Sequence, residues 1–341
     1  MLETNKIYNE DCLGKNGMSQ IEDGSIDMIV CDLPYGTMKG AGLDGWKNQT
    51  TEWDEQLNIK EMFKQYERIC RENANIILFS QEPYTYKLRS YNAENIKFAY
   101  PLIWEKDHFA NALIAKKAPV SYFEDLSVFY KKYDTQNINP LRTYFKNVAE
   151  YIGVTSCKQI NEKLGHRRAE HSFYVFGKGK IKECVGQKAD YTFRTGSTQF
   201  KLCTEETYKE LISVFHIDKM EGFKAYAELN KINLKYQKIF NLPEGQKFKS
   251  NALKYNQGLH PTQKPVALIE DLIKTYTNEG NVILDNCIGS GTTAIACINT
   301  NRKYIGFELD KKYYDIAVER VAQRQKEMDF YNNFDIIRES R

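Results

Sequence analysis

Two short stretches hold residue types whose spacing could do chemistry together. Asp32-Leu33-Pro34-Tyr35-Gly36 directly follows the apolar run Ile26-Asp27-Met28-Ile29-Val30-Cys31, so an acid and an aromatic ring emerge at the carboxyl end of an expected strand. Open α/β sheets bind their ligands at such strand ends. An aromatic amine keeps its lone pair in the ring and becomes nucleophilic only when acceptors draw on its N–H bonds. A carboxylate beside a main-chain carbonyl can do that. The second stretch, Leu284-Asp285-Asn286-Cys287-Ile288-Gly289-Ser290-Gly291-Thr292-Thr293, reads as a strand end, a glycine turn and a helix start. Glycine lets the backbone turn sharply and approach a ligand closely. Glu308, at the end of the next expected strand, is spaced to bind two ribose hydroxyls. A nucleoside-containing cofactor follows, although an ordinary tight connection would use the same glycines. No Gly-Lys-Ser/Thr follows the turn, which argues against a Walker-type phosphate loop.

Such residues need a sheet to hold them, and the chain divides by pattern into three blocks. Residues 1–131 alternate apolar runs with helical stretches: strands are expected at 26–31, 75–79, 99–104 and 126–130, and a helix at 59–71. Residues 132–256 are basic and rich in Tyr, Phe and Lys, without long β-branched runs, and read as a separate insert. The α/β pattern resumes in 257–341, with strands at 282–284 and 304–307 and helices at 292–299 and 312–325. A helix start is expected at Val266, after the prolines of His260-Pro261-Thr262-Gln263-Lys264-Pro265.

These residues resemble the DPPY amino-methyltransferases of DNA, whose motif reads Asp/Asn/Ser-Pro-Pro-Tyr/Phe; here Leu33 stands at the second position and keeps the main-chain carbonyl that the family uses. The resemblance covers about residues 1–131 and 257–325. It implies that Asp32-Leu33-Pro34-Tyr35 is the catalytic motif. Asp32 and the Leu33 carbonyl would accept hydrogen bonds from the target amine, and Tyr35 would stack on a base flipped out of the duplex. It also implies the cofactor S-adenosyl-L-methionine, held by Asp32, by the turn residues Asp285, Cys287, Gly289, Ser290, Gly291, Thr292 and Thr293, and by Glu308. His260, Thr262 and Lys264 resemble the segment that closes the methionine end of that site, and Asp11-Cys12 the segment whose acid accepts from the cofactor's adenine. The implied fold is a Rossmann-like α/β methyltransferase: a mostly parallel, doubly wound sheet with an antiparallel hairpin, a permuted motif order resembling the family's class β, and an inserted, mainly helical target-recognition region.

The implied activity is site-specific methylation of adenine N6 in double-stranded DNA. Other amines stay open: cytosine N4, an RNA base or a protein glutamine. An Asp in the first motif position favours adenine, because the cytosine branch usually has Ser there and the glutamine branch Asn. An inactive scaffold serving as a DNA-binding regulator, and a nicotinamide-dependent dehydrogenase, are the readings from other classes.

The 341 residues, 42% hydrophobic and 13% aromatic, suffice for one large α/β core and a smaller module. Charge is uneven: residues 131–259 hold 23 Lys and Arg against 13 Asp and Glu, a net +10, so the rest carries −7 of the overall +3. A basic segment suits a phosphate-bearing partner, since Lys and Arg displace condensed counterions; a solvated lysine-rich surface is the plainer reading. Within it, residues 156–174 are expected to form two short helices about Gly165, either a helix-turn-helix with Arg167 and Arg168 leading the second helix or an ordinary helical hairpin. Lys39, in a glycine-rich loop, and Arg194 complete the expected DNA contacts, while most of the insert's aromatics are expected to form its own core. The eight cysteines lack zinc-ligand spacing and read as reduced thiols, with no metal site expected. The N-terminus lacks a secretory layout, and no run of about 18 apolar residues is present. Cytoplasmic location, in a bacterial or phage-infected cell, is therefore expected, with no membrane partner. A homodimer and a companion restriction endonuclease are left open as partners.

Overall fold

The computed structural model describes residues 2–36, 55–110, 115–131, 139–154, 157–165, 169–174, 180–185, 189, 191–197, 199–256 and 263–339. Residues 1–132 with 238–341 form one compact unit and 133–237 a second. Lys39, Arg167, Arg168, His260 and Thr262 lie outside the described residues.

The first unit is built on the strands β1 (Lys6–Tyr8), β2 (Ile26–Asp32), β3 (Cys70–Ser80), β4 (Ile96–Ala110), β5 (Ser121–Lys131), β8 (Ala252–Lys254), β9 (Val282–Asp285) and β10 (Lys303–Phe307). They form one sheet in the order β1-β10-β9-β2-β3-β5-β4-β8. All neighbours pair parallel except β5, which runs antiparallel to both β3 and β4. β2 and β3 are buried along nearly their whole length, which is why they read as continuous apolar runs rather than alternating ones.

Helices cover both faces. α1 (Ile59–Ile69) starts where Asn58 accepts from the Glu61 N–H, and it buries Met62, Phe63, Tyr66 and Ile69 in one core with Ile29 and Ile76. α7 (Val266–Tyr276) and α8 (Thr292–Asn299) pack into the opposite core with Met28, Val30 and Ile283. Alternate residues of β2 thus point to different cores, as strand geometry requires. Short α2 (Tyr84–Ser90) follows β3, and α9 (Lys311–Glu339) follows β10. A buried ion pair ties three strands at their amino ends: Arg71 Nε contacts Asp27 Oδ1 at 2.7 Å, and Asp27 Oδ2 accepts from the Val282 N–H at 2.8 Å.

The connection β2-α1-β3 moves one way along the sheet and β9-α8-β10 the other, so the topological switch point falls between the neighbours β2 and β9. Ligands bind beyond the carboxyl ends of strands at such a point, and both candidate motifs sit at those ends.

In the second unit, α3 (Pro140–Ile152), α4 (Cys157–Lys163), α5 (Glu205–Phe215) and α6 (Tyr226–Tyr236) accompany the hairpin β6 (Ala169–Tyr174) and β7 (Lys180–Val185). Phe145 lies at the centre of an aromatic core with Tyr144, Phe193, Phe200 and Tyr208. The expected helix-turn-helix is corrected here. Its first helix forms as α4, but Ala169–Tyr174 is a strand paired antiparallel with Lys180–Val185, from Ala169 opposite Val185 to Tyr174 opposite Lys180. Cross-strand pairing overrides the helix propensity of Ala169 and Glu170. Residues 238–256, read from their lysines as part of the insert, belong to the first unit, where Ala252–Lys254 adds the edge strand β8 beside β4.

Candidate active site

Asp32 closes β2, and its two oxygens are engaged separately. Tyr35 donates its hydroxyl to Oδ1 at 2.6 Å, and Lys264 donates its ammonium to Oδ2 at 2.5 Å. Leu33 is buried at 2% exposure in the core beneath the motif, with Tyr35 packed against that core. The tether is extended by Gln56, whose amide donates to the Tyr35 carbonyl at 2.5 Å and accepts from Lys87 at 3.1 Å. Burial, then the neighbouring Asp32 charge, holds the Tyr35 hydroxyl well above its ordinary range, so it stays a donor.

The glycine turn faces the same cleft. Gly289 and Gly291 adopt φ of +55° and +85°, in the left-handed region that glycine enters without strain, and Gly291 caps the start of α8. Thr293 donates to Asp285 Oδ2 at 2.6 Å and the Cys287 N–H to its Oδ1 at 3.1 Å. Burial nevertheless pushes the Asp285 carboxyl up to about 7. Glu308 Oε2 accepts from the Gly289 N–H at 2.9 Å and Oε1 from the Asp310 N–H at 2.8 Å. Burial raises its carboxyl while those N–H groups oppose the shift. Arg320 donates to the Ser290 hydroxyl at 2.8 Å and fixes the turn from α9. Val30, Asp32, Phe79, Lys264, Asp285, Cys287, Gly289, Ser290, Thr292 and Thr293 line one cleft.

The structure therefore brings Asp32, Lys264, Asp285, Cys287, Gly289, Ser290, Thr292 and Thr293 to one cleft, with Glu308 bonded to its glycine turn. Cys12 is buried, at 5% exposure, and Asn286 places its amide near both Cys12 and Cys287 sulfurs, at 3.8 and 3.6 Å. The contact with Cys287, then burial, raises the Cys12 thiol, and burial pushes Cys31 up to about 12. These sulfurs stay protonated and are not nucleophiles. Asp11 turns its carboxylate to the Leu13 N–H at 2.9 Å, bracing its own loop. Arg194, in the second unit, stacks over the Tyr191 ring at 5.3 Å and donates to Gln199 at 2.5 Å. Among the described residues no His, Cys, Asp or Glu group could hold a metal ion, and no helix is long and apolar enough to cross a membrane.

Sequence reasoning gave no role to two buried residues that stand behind Lys264, Lys106 and Glu124. Glu124, on β5, lies between two ammonium groups: Lys106 Nζ is 2.5 Å from Oε1 and Lys264 Nζ 3.2 Å from Oε2. Their side chains are nearly buried, Lys106 at 3%, Glu124 at 9% and Lys264 at 12% exposure. Burial opposes charge on Glu124, but the two lysines outweigh it and hold the carboxyl below its usual range. Burial likewise opposes the Lys264 ammonium, and Asp32 and Glu124 more than offset it. No sequence signal marked them, since both lie just outside the strands expected at 99–104 and 126–130 and within the observed β4 and β5.

A doubly wound sheet with an acidic strand end and a glycine turn on one switch-point cleft defines a class, the Rossmann-like methyltransferases. A family profile described as DNA methylase matches residues 26–319, and the chain belongs to this N6/N4 DNA methylase family. It is 23% identical to the type II methyltransferase M.HindIII of Haemophilus influenzae over 96% of this chain and 97% of that one. It is 42% identical to the type II methyltransferase M.HpaI of Haemophilus parainfluenzae over 84 residues, a match that spans 25% of each chain. Among solved structures, the PvuII DNA methyltransferase, described as cytosine-N4-specific, aligns with 97% of this chain and 92% of its own at 13% identity and a TM-score of 0.49. The M1.HpyAVI–SAM complex aligns with 92% of this chain and 98% of its own at 17% identity and a TM-score of 0.47.

Proposed function

We propose that this DNA methyltransferase transfers a methyl group from S-adenosyl-L-methionine to the N6 amine of an adenine flipped out of double-stranded DNA. The observation that carries the reading is the juxtaposition of the Asp32 carboxylate with the glycine turn in one cleft. The cofactor fits what is present: positive-φ glycines open the turn to a close ligand, and Glu308 holds a carboxylate in place beside it. Bound there, the cofactor would supply a methyl carbon made electrophilic by its sulfonium, the C–S bond breaking to a neutral thioether as the N–C bond forms.

The protein's own groups do the rest. Asp32 and the Leu33 carbonyl accept the two amine N–H bonds and draw the nitrogen lone pair out of conjugation. Asp32 then stabilises the cationic amine and accepts its proton, work of a kind typically worth about 10²- to 10⁴-fold. Tyr35 stacks on the base, and its hydroxyl keeps the carboxylate oriented. Asp11 and Glu308 hold the adenosine part of the cofactor, and Asp285 and the 287–293 turn its methionine part. The basic insert, with Arg167, Arg168 and Arg194, together with Lys39, grips DNA through phosphates and gives it its site preference.

Incubation with isotopically labelled cofactor and unmodified bacterial genomic DNA, followed by digestion to nucleosides, tests the reading. Label in N6-methyldeoxyadenosine is expected. Label in N4-methyldeoxycytidine would transfer the same chemistry to the other amine and overturn the adenine assignment.

A further inference from the structure

The Asp32 carboxylate is already occupied. With Tyr35 on Oδ1 and the Lys264 ammonium on Oδ2, the oxygen that should receive the amine's proton carries a positive charge at 2.5 Å. An amine turning cationic beside a fixed ammonium is opposed by like-charge repulsion, which burial strengthens. A second acceptor stands ready. Glu124 Oε2 lies 3.2 Å from the same ammonium but outside hydrogen-bond geometry, and it is a buried carboxylate oxygen that no hydrogen bond satisfies. Its other oxygen is held by Lys106, which itself lies over the Trp104 ring at 5.1 Å and so cannot wander. Buried unsatisfied acceptors are rare in folded proteins and call for an explanation.

We propose that Glu124, fixed by Lys106, is a positioning residue that draws the Lys264 ammonium off Asp32 as the target amine docks, freeing Oδ2 for the amine proton. The inference rests on the reading of Asp32 as the acceptor of that amine, and it is indifferent to whether the amine belongs to adenine or cytosine. In the free protein Lys264 neutralises Asp32, which would otherwise be an unpaired carboxylate in the cleft. In the reacting complex the ammonium completes the empty hydrogen bond to Glu124. The four charges, Lys106, Glu124, Lys264 and Asp32, sum to zero in both states, so the exchange moves no net charge into the protein. Rotation about the terminal bonds of the lysine side chain is the only motion required.

The test is suppression of one substitution by another. With enzyme in excess over unmodified genomic DNA and saturating labelled cofactor, Glu124→Gln should slow methyl transfer on the order of 10- to 100-fold, the factor of a charge-assisted hydrogen bond. Cofactor affinity measured by titration calorimetry should stay within about 3-fold of wild type, because the loss lies in the transfer step. Removing the misplaced ammonium should relieve the defect, so Glu124→Gln with Lys264→Gln should be several-fold faster than Glu124→Gln alone. A purely structural Glu124 predicts the reverse, a double variant no faster than the single. That result, or Glu124→Gln at wild-type speed, would overturn the proposal. If the Gln variant does not fold, Glu124→Asp keeps both lysines neutralised and withdraws the acceptor from Lys264; it should be slowed and likewise relieved by Lys264→Gln. A wild-type enzyme that labels no DNA at all is a distinct result, which sinks the underlying role of Asp32 rather than the lysine exchange. In a crystal of the complex with DNA and S-adenosylhomocysteine, Lys264 should be bonded to Glu124 and not to Asp32.

Discussion

Replacing Asp285 by Asn should change how stability and cofactor binding depend on pH. Burial raises this carboxyl from 3.8 to about 7, against the hydrogen bonds from Thr293 and the Cys287 N–H. Between about pH 4 and about pH 7 the folded protein therefore binds a proton here that the unfolded chain has lost, and stability from this group falls as pH rises through that window. A shift of about 3 pH units corresponds to about 4 kcal/mol, reached in full above about pH 7. Asn keeps an acceptor for Thr293 and does not titrate. Urea unfolding without cofactor, from about pH 4.5 to about pH 8.5, should show the variant gaining on wild type toward that difference and levelling above about pH 7. A cationic ligand beside Asp285 favours the ionised form, so wild-type affinity for S-adenosylmethionine should rise with pH by up to about 10-fold per unit below pH 7, with proton release, and then flatten. Asp285→Asn should show neither effect. Parallel stability curves for the two proteins across the range would refute the reasoning.

Glu308→Ala removes the acceptor of the Gly289 and Asp310 N–H groups and should weaken cofactor binding about 10- to 100-fold, read by calorimetry. Gly291→Ala places a Cβ 3.1 Å from the Ala317 Cβ at a φ of +85°; it should lower unfolding free energy by about 1–3 kcal/mol in urea titrations. Arg71→Met strands the buried Asp27 carboxylate and should cost about 3–5 kcal/mol by the same measurement, most of it regained when Asp27→Asn is added.

The half of the sheet that carries the site was legible because central parallel strands are apolar throughout: 26–31, 75–79 and 282–284 fall within β2, β3 and β9. The strand-turn-helix order at 284–293 placed the glycines correctly for a local reason, the positive φ that glycine enters most readily. What failed was set by distant partners. Ala169–Tyr174 became a strand because Lys180–Val185 pairs with it, a hairpin that Gly177-Lys178-Gly179 in the connecting sequence signals better than helix propensity does. β8 has three residues and a lysine-rich neighbourhood, so its place beside β4 could not be read from composition. Lys264 was assigned to the cofactor from its motif, while its ion pairs to Asp32 and Glu124 join residues far apart in the chain. Such pairings exist only once the sheet has formed.

The central claim is that the Asp32 carboxylate works on the target amine rather than on cofactor binding. Its most direct test measures methyl transfer to DNA under enzyme excess for Asp32→Ala and wild type, with the S-adenosylmethionine dissociation constant determined on the same samples. The expected result is a loss of at least about 10²-fold in transfer with affinity within about 3-fold of wild type. Transfer at the wild-type rate, or a loss wholly accounted for by weaker cofactor binding, would contradict it.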